Sequence, residues 1–343
     1  MSAAFGTKKR ILSGMRPTGP LHIGHLFGAL KNWAELQEKY DCFFMIADWH
    51  ALMSEYEKPE GIQENILGCA IDWLSCGIDH KKSTVFVQSH VPEHLELAMI
   101  FSDITPLPWL ERCPTYKEQL REQKTRDLAT YGFLGYPVLQ AADILLYKAE
   151  VVPVGEDQLA HLELTREIAR RFNNLYKKDA LPEPEALLTK TPRILGLDNR
   201  KMSKTFGNYI ALSDSPDTIR KKVTSMITDP QRIKRVDPGH PEICNVFSYY
   251  KIFTQPQSSG AGFKPDIVSQ VYEECTTADI GCTDNKKRLA EIIIAYLEPI
   301  QRERKKYTND KKQIQKILDE GAIKAKDVAS DTMKQVRKLI GLA

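Results

Sequence analysis

No Cys-x-x-Cys pair occurs among the seven cysteines, Cys42, Cys69, Cys76, Cys113, Cys244, Cys275 and Cys282. An odd set of thiols without a close pair points to reduced cysteines in a cytosol. No run approaches the ~20 apolar residues that a membrane span needs, and the first ten residues, MSAAFGTKKR, hold no apolar leader core. A cytoplasmic protein with no membrane association is expected. Excess charge is also scarce: 48 Lys and Arg stand against 45 Asp and Glu, net +3, so any surface for nucleic acid must be local. Two nucleotide signatures are missing. Gly19 and Gly24 have the glycine spacing of a P-loop, but His25-Leu26 stands where Lys-Ser/Thr is needed. The fingerprint GxGxxG is absent too, which counts against a nicotinamide or flavin enzyme. No internal repeat or low-complexity tract interrupts the chain.

What is present is a chain of 343 residues, long enough for two domains. Arg10 to Leu30 reads RILSGMRPTGPLHIGHLFGAL. Ile11-Leu12 should end a strand in the breaker cluster Ser13 to Pro20. His22-Ile23-Gly24-His25 then opens a segment with helical spacing at Leu26, Ala29, Leu30 and Trp33. Strand, Gly/Pro loop and helix start together suit a phosphate, because backbone N–H groups and the positive end of the helix dipole face the ligand. The two imidazoles at i and i+3, with Gly24 between them, are by spacing alone equally a solvated or weakly metal-binding pair.

Cys42 to Ala47 is a continuous apolar run, as in a strand buried on both faces, and Asp48-Trp49-His50 closes it. A helix from about Glu60 to Leu74 leads to a third strand over Ser83 to Gln88. Alternating strands and helices describe an α/β, doubly wound parallel sheet of Rossmann-like type. The polar segment Thr115 to Thr130 reads as a surface helix or an insertion.

In Tyr136 to Tyr147, YPVLQAADILLY, a helix would set Tyr136, Gln140, Asp143 and Tyr147 on one face. A carboxylate among apolar residues costs several kcal/mol if left without partners. Asp143 either bonds a neighbouring group or waits for a ligand N–H. Glu150 to Val154 is the next strand, running into Gly155-Glu156-Asp157-Gln158 and an amphipathic helix from Leu159 to Phe172. Asp157 and Gln158 are placed to meet a ribose and polar substrate groups, or only to cap the helix. Leu181 to Arg193 reads as a loop. In Lys201-Met202-Ser203-Lys204-Thr205-Phe206-Gly207-Asn208, two lysines can place mobile positive charge over a triphosphate, although such a pair alone is usually a solvated turn.

The HIGH-like element followed by a KMSK-like one resembles the class I aminoacyl-tRNA synthetases. SGMRPTG, ADWHAL, YPVLQAADILLY, VPVGEDQ and the ending LDEGAIKAKDVASDTMKQVRKLIGL resemble those of bacterial tryptophanyl-tRNA synthetases, over nearly the whole chain. That resemblance implies activation of L-tryptophan with ATP and transfer to the 3′ end of tRNA(Trp). It gives His22, His25, Lys201 and Lys204 catalytic roles. It implies ATP contacts by Arg16, Pro17, Thr18, Gly24, His25, Gly155, Glu156, Asp157, Ile194, Lys201, Met202, Ser203, Lys204 and Thr205, with Mg2+ neutralising the phosphates. Asp143 would accept the indole N–H, while Tyr136, Gln140 and Gln158 hold the rest of tryptophan. A homodimer is the family's precedent.

The expected domains are a catalytic domain over residues 1–212, an all-α anticodon-binding domain over 213–330 and a C-terminal helix over 331–343. Asp217 to Arg235 holds six Lys/Arg against two Asp/Glu, and Gln301 to Ile340 twelve against six, a local basic excess suited to RNA phosphates. Some relatives carry a four-cysteine iron–sulfur cluster in this region. Cys275 and Cys282 match the spacing of two of its ligands and Cys244 could be a third, with Gln255 to Gly262 looking like an insertion between them. Asn285 stands at the fourth position, so no cluster is expected. A small-molecule nucleotidyltransferase would share the HxGH element without needing the basic helical region. A non-catalytic RNA-binding derivative would be expected to lose a histidine or a lysine of the two motifs, and none is lost.

Overall fold

The computed structural model describes residues 8–113, 129–188, 194–204, 206–254 and 267–342. Most of the Thr115 to Thr130 segment, Gln255 to Gly262 and Thr205 lie outside the described residues. Five strands occur in chain order: β1 (Arg10–Met15), β2 (Asp41–Ile46), β3 (Ser83–Val87), β4 (Val151–Val154) and β5 (Glu185–Leu188). The longer helices are α1 (Asp48–Glu55), α2 (Ile62–Ser75), α3 (Glu93–Ile104), α4 (Tyr131–Leu146) and α5 (Leu159–Tyr176). They continue with α6 (Pro216–Thr224), α7 (Asn245–Phe253), α8 (Ile267–Thr276), α9 (Cys282–Asn309) and α10 (Lys311–Ile340). Two compact units form: one from 1–19, 32–190 and 310–343, the other from 20–31 and 191–309.

The first unit is built on one parallel sheet of order β3-β2-β1-β4-β5, the doubly wound, Rossmann-like arrangement that the alternating pattern predicts. Ile11 pairs with Cys42 on one side and with Val151 on the other. Strand order therefore reverses between β1 and β4, and in open α/β sheets the crevice beyond such a switch takes the ligand. The period of two divides the apolar run of β2 between the sheet faces. Phe44 stacks on Trp33, centroids 4.6 Å apart, whereas Phe43 meets Tyr147 at 5.0 Å and Phe86 at 6.4 Å. Helix α10 lies on β3 through Gly321, Ala325 and Ala329. A Cβ on Gly321 would overlap the carbonyl of Val85, so the absent side chain sets how near the helix comes.

The segment read as a loop, Leu181 to Arg193, instead contains β5. Glu185 to Leu188 pair in parallel with Val151 to Val154, and Glu185 N–H donates to Glu150 O at 2.8 Å. This edge strand leaves Glu185, Ala186 and Leu188 exposed, so it needs neither alternating burial nor β-branched residues, and its backbone pairing leaves no sequence signal.

In the second unit, Pro20–Lys31 joins residues separated from it by most of the first unit's chain. Ile23 N–H donates to Ile210 O at 3.1 Å and Leu212 N–H to Leu21 O at 2.9 Å. Phe27 packs edge-on against Phe253 at 5.2 Å and stacks on Tyr296 at 5.5 Å. Helices α6 and α7 both pack on α9, and the Arg220 guanidinium forks onto Glu291, at 2.7 and 3.1 Å. The segment after His22, read as a plain helix, is three residues of α-helix, a π-helical turn over Leu26–Leu30 and a further α-helical stretch, Lys31–Leu36. Among the described residues no helix is long and apolar enough to cross a membrane.

Candidate functional site

The carboxyl ends of the strands in the first unit carry the chemistry-bearing residues. Arg16, Pro17 and Thr18 follow β1, with Thr18 N–H turned back onto Arg16 O at 3.0 Å. Asp48 and His50 follow β2, and Gln88 follows β3. The Asp48 carboxylate accepts from Ser89 N–H at 2.9 Å, which ties the ends of β2 and β3 together. Gly155, Glu156, Asp157 and Gln158 follow β4 as a short 3-10 turn leading into α5. A Cβ on Gly155 would come within 2.6 Å of Asp157 Oδ1. Gln158 Nε2 donates to Asp157 Oδ2 at 3.2 Å.

Helix α4 starts at Thr130, whose hydroxyl caps Phe133 N–H at 3.2 Å. It presents Tyr136, Gln140 and Asp143 on one face, with Tyr147 as its C-terminal cap. Asp143 is 2% exposed and has three donors. Gln88 Nε2 lies 2.8 Å and His94 Nδ1 2.6 Å from Oδ1, and His50 Nε2 lies 2.9 Å from Oδ2. Burial alone would raise its pKa, but the imidazoles of His94 and His50 outweigh that and hold the carboxyl below its ordinary range. Asp143 is thus an ionised buried acceptor. A carboxylate offers about four lone-pair directions, so the three donors leave one, on Oδ2.

Tyr136 sends its hydroxyl to His161 Nε2, and Cys113 Sγ approaches the same nitrogen at 3.1 Å. Burial lowers the pKa of His161. Gln140 is half-buried on the face shared with Tyr136 and Asp143.

The second unit brings the two signature motifs into contact. His22 is extended backbone, φ −131°, and its Nδ1 accepts from Gly24 N–H at 3.1 Å; His22 N–H in turn donates to His25 Nδ1 at 3.2 Å. A backbone N–H can only donate, so both Nδ1 atoms are unprotonated and each neutral ring carries its proton on Nε2. Burial and the charge of Lys204 push the pKa of His22 down to about 3. Burial, His22 and Lys204 lower that of His25 well below its usual value. The ring centroids are 3.8 Å apart. This corrects the expectation that backbone N–H groups at the helix start would hold the anion. Ile23 N–H is bound to Ile210 O, Gly24 N–H to the His22 ring and His25 N–H to His22 O at 2.8 Å. The donors left for a ligand are imidazole Nε2–H groups. A Cβ on Gly24 would lie 2.9 Å from the His22 ring and 3.3 Å from Met202 Sδ.

The lysine-bearing loop is organised by Asn208, which is 4% exposed. Its Oδ1 accepts from Ser203 N–H at 2.9 Å, and its Nδ2 donates to Asp198 Oδ1 at 2.6 Å and Lys201 O at 3.1 Å. The Asp198 carboxyl is partly desolvated, which opposes ionisation, yet bonds from Asn208 and Arg200 hold its pKa near 2. Ile194 is buried, Met202 is buried against Gly24, Lys201 is exposed and Ser203 and Lys204 are half-buried.

Sequence reading missed His50, Gln88 and His94 as partners of Asp143, and Asn208 as the support of the lysine loop. For the first two, a signal existed in their position at strand ends. For His94, the second residue of α3, no pattern distinguishes it from a surface histidine.

Near α8 and α9, Arg232 Nη1 lies 3.9 Å from Cys275 Sγ and 4.0 Å from Cys282 Sγ. Cys244 and Cys275 are buried and their thiol pKa values are raised chiefly by that burial. Asn285 offers a carboxamide where a fourth thiolate would be needed, and its backbone carbonyl accepts from the Tyr250 hydroxyl at 2.9 Å. Two thiols thus lie near one guanidinium. Among the described residues no group of three or more His, Cys, Asp or Glu side chains could hold a metal ion.

Comparison with known proteins identifies the family. A family model described as tRNA synthetases class I (W and Y) matches residues 6–298. A tryptophan–tRNA ligase of Thermotoga maritima is 50% identical over 334 residues, covering 97% of this chain and 99% of that protein. One from Aquifex aeolicus is 42% identical over 402 aligned residues, covering 97% and 100%. The crystal structure of tryptophanyl-tRNA synthetase from Campylobacter jejuni, complexed with ADP and tryptophan, superposes with a TM-score of 0.86 at 35% identity, covering 97% of this chain and 100% of that one. With the charge of Lys204 felt by both signature histidines and this likeness covering 97% of the chain, the chain belongs to the tryptophan–tRNA ligases among the class I aminoacyl-tRNA synthetases.

Proposed function

We propose that this chain activates L-tryptophan with ATP to tryptophanyl-adenylate, releasing pyrophosphate, and then transfers tryptophan to the 3′ end of tRNA(Trp). The observation that carries the choice of amino acid is Asp143: an ionised, buried carboxylate in an apolar helix, with one acceptor direction unused. Such a group rewards a ligand that brings an N–H and rejects one that does not, by a far larger factor than a missing methylene would give. Phenylalanine has no donor, and tyrosine carries its hydroxyl elsewhere. Tyr136, Gln140 and Gln158 would hold the amino acid's α-amino and carboxylate groups.

In the first step a carboxylate oxygen of tryptophan attacks the α-phosphorus in line, the bond to the bridging oxygen breaks, and negative charge grows on the phosphate oxygens. The neutral imidazoles of His22 and His25 supply Nε2–H donors to that charge without needing to give up a proton. Lys201 and Lys204 would draw the leaving pyrophosphate, their loop held in shape by Asn208. Arg16, Pro17, Thr18, Gly24, Gly155, Glu156, Asp157, Ile194, Met202, Ser203 and Thr205 would contact the nucleotide. Magnesium would arrive as part of the ATP substrate, since no carboxylate cluster for it is found among the described residues.

The transfer step needs RNA, and the basic excess of 217–235 and 301–340 supports contact with tRNA phosphates. Leu95, Met99, Leu107 and Tyr131, all exposed in the first unit, support a homodimer that would cover them. A cytoplasmic enzyme without an iron–sulfur cluster completes the reading; iron and sulfide analysis of anaerobically purified protein tests the last point. The main test is ATP–pyrophosphate exchange with each amino acid in turn, followed by charging of bulk tRNA. Tryptophan alone should support both, and exchange with tyrosine in its place would overturn the proposal.

A further inference from the structure

Behind Asp143 lies a second layer of buried polar groups that the adenylation chemistry does not use. His94 is wholly buried and meets two groups of α4: Nδ1 meets Asp143 Oδ1 at 2.6 Å and Nε2 meets the Tyr147 hydroxyl at 2.8 Å. Tyr147 is itself fully buried, and burial together with the charge of Asp143 raises its phenol pKa well above the ordinary value. It therefore keeps its proton and can donate it to His94 Nε2. That leaves His94 as the tautomer with hydrogen on Nδ1, the one able to donate to an ionised carboxylate. Packing fixes the rings: Phe86 stacks on His94 with centroids 6.1 Å apart, and Phe43 and Phe86 meet Tyr147 at 5.0 and 5.5 Å. The Tyr147 carbonyl accepts from Arg10 Nη1 at 2.9 Å, which pins the end of α4 to β1.

We propose that Tyr147 and His94 are positioning residues that orient the Asp143 carboxylate and so set discrimination for a substrate bearing an indole N–H. This rests on the reading of Asp143 as acceptor of that group. With Oδ1 saturated by His94 and Gln88, the carboxylate cannot rotate about its Cβ–Cγ bond without breaking two buried hydrogen bonds, and the unused direction on Oδ2 stays where it is. Removing the Tyr147 hydroxyl leaves His94 Nε2 without a partner, and the proton can then move to it, which turns Nδ1 into an acceptor facing a carboxylate. The ring or the carboxylate must shift to escape that contact.

The test compares L-tryptophan with 3-(benzothiophen-3-yl)-L-alanine, in which sulfur replaces the N–H, by kcat/KM in ATP–pyrophosphate exchange for wild type, Tyr147→Phe and His94→Asn. Asparagine can donate to Asp143 but cannot reach Tyr147. Wild type should strongly prefer tryptophan. Both variants should lose about tenfold of that preference, which corresponds to about 1.4 kcal/mol, chiefly through a higher KM for tryptophan, with the KM for ATP unchanged. A wild-type preference that both folded variants retain overturns the relay and leaves the Asp143 reading standing. A wild type that takes the thiophene as readily as tryptophan overturns the Asp143 reading, and the relay as a specificity device falls with it. If Tyr147→Phe does not fold, His94→Asn alone decides, by the same ratio.

Discussion

Ile23 gives its backbone N–H to the carbonyl of Ile210 at 3.1 Å. The histidine motif and the segment that follows the lysine motif are thereby stitched into one piece of structure, with His22 and Ala211 as an antiparallel bridge. A rigid join of this kind lets a side chain of one motif limit the other, and Gly24 is where it does so.

Gly24→Ala would put a methyl 2.9 Å from the His22 ring and 3.3 Å from Met202 Sδ. The ring or the lysine loop must move by a few tenths of an ångström or more, and misplacement near 1 Å costs about 100-fold in rate. We expect kcat for ATP–pyrophosphate exchange to fall by roughly that factor with the KM for tryptophan little changed. Unaltered kcat would mean that the contact has no bearing on catalysis.

Asp143→Ala removes the acceptor of Gln88, His94 and His50. Tryptophan-dependent exchange should fall by at least about 100-fold while the folded variant still binds ATP, measured by equilibrium dialysis. Full exchange activity would remove Asp143 from the pocket.

Asn208→Ala strips three hydrogen bonds from the lysine loop. A stability loss of about 1–3 kcal/mol is expected for a buried amide so placed, readable from urea unfolding. Exchange activity should drop more than that loss explains, because Ser203 and Lys201 lose their support. A variant with a reduced midpoint and normal turnover would show that Asn208 serves stability alone.

His22 is kept neutral in the fold, with its pKa at about 3 against 6.5 for the ordinary side chain. Above pH 6.5 neither state binds the proton and the neutral ring costs nothing. As pH falls from about 6.5 toward 3 the unfolded chain takes up a proton that the folded chain refuses, so stability falls with pH across that window. Urea midpoints measured between pH 7 and pH 4 should decline less steeply in His22→Asn than in wild type. Identical slopes would sink the assignment.

Gly321→Ala separates propensity from packing. Helix propensity alone favours alanine by about 1 kcal/mol, yet a Cβ here overlaps the Val85 carbonyl. Backbone cannot yield as a flexible side chain can, so the melting temperature should fall; a rise would show that α10 sits farther from β3.

The parallel sheet was legible because β2 and β3 are buried on both faces and so are written as apolar runs, and because β1 ends in a Gly/Pro turn and β4 at Gly155. β5 was not, since an edge strand with exposed side chains answers only to backbone pairing. The face shared by Tyr136, Gln140 and Asp143 followed from helical period; the imidazoles that hold Asp143 ionised did not, since His50, Gln88 and His94 come from three other segments. Likewise the sequence showed Lys201 and Lys204 but not that Asn208 shapes their loop.

By itself, then, the sequence determined the class of sheet, the order of its first four strands and the two motifs that mark an adenylating enzyme, because these are patterns of neighbouring residues governed by period and local turn chemistry. Only tertiary structure decided that Pro20–Lys31 joins a unit with residues beyond Thr191, that the histidines are neutral, and that Asp143 is charged. Those states depend on burial and on partners far away in the chain, where a pKa is set by what is within a few ångströms and not by what is next in sequence.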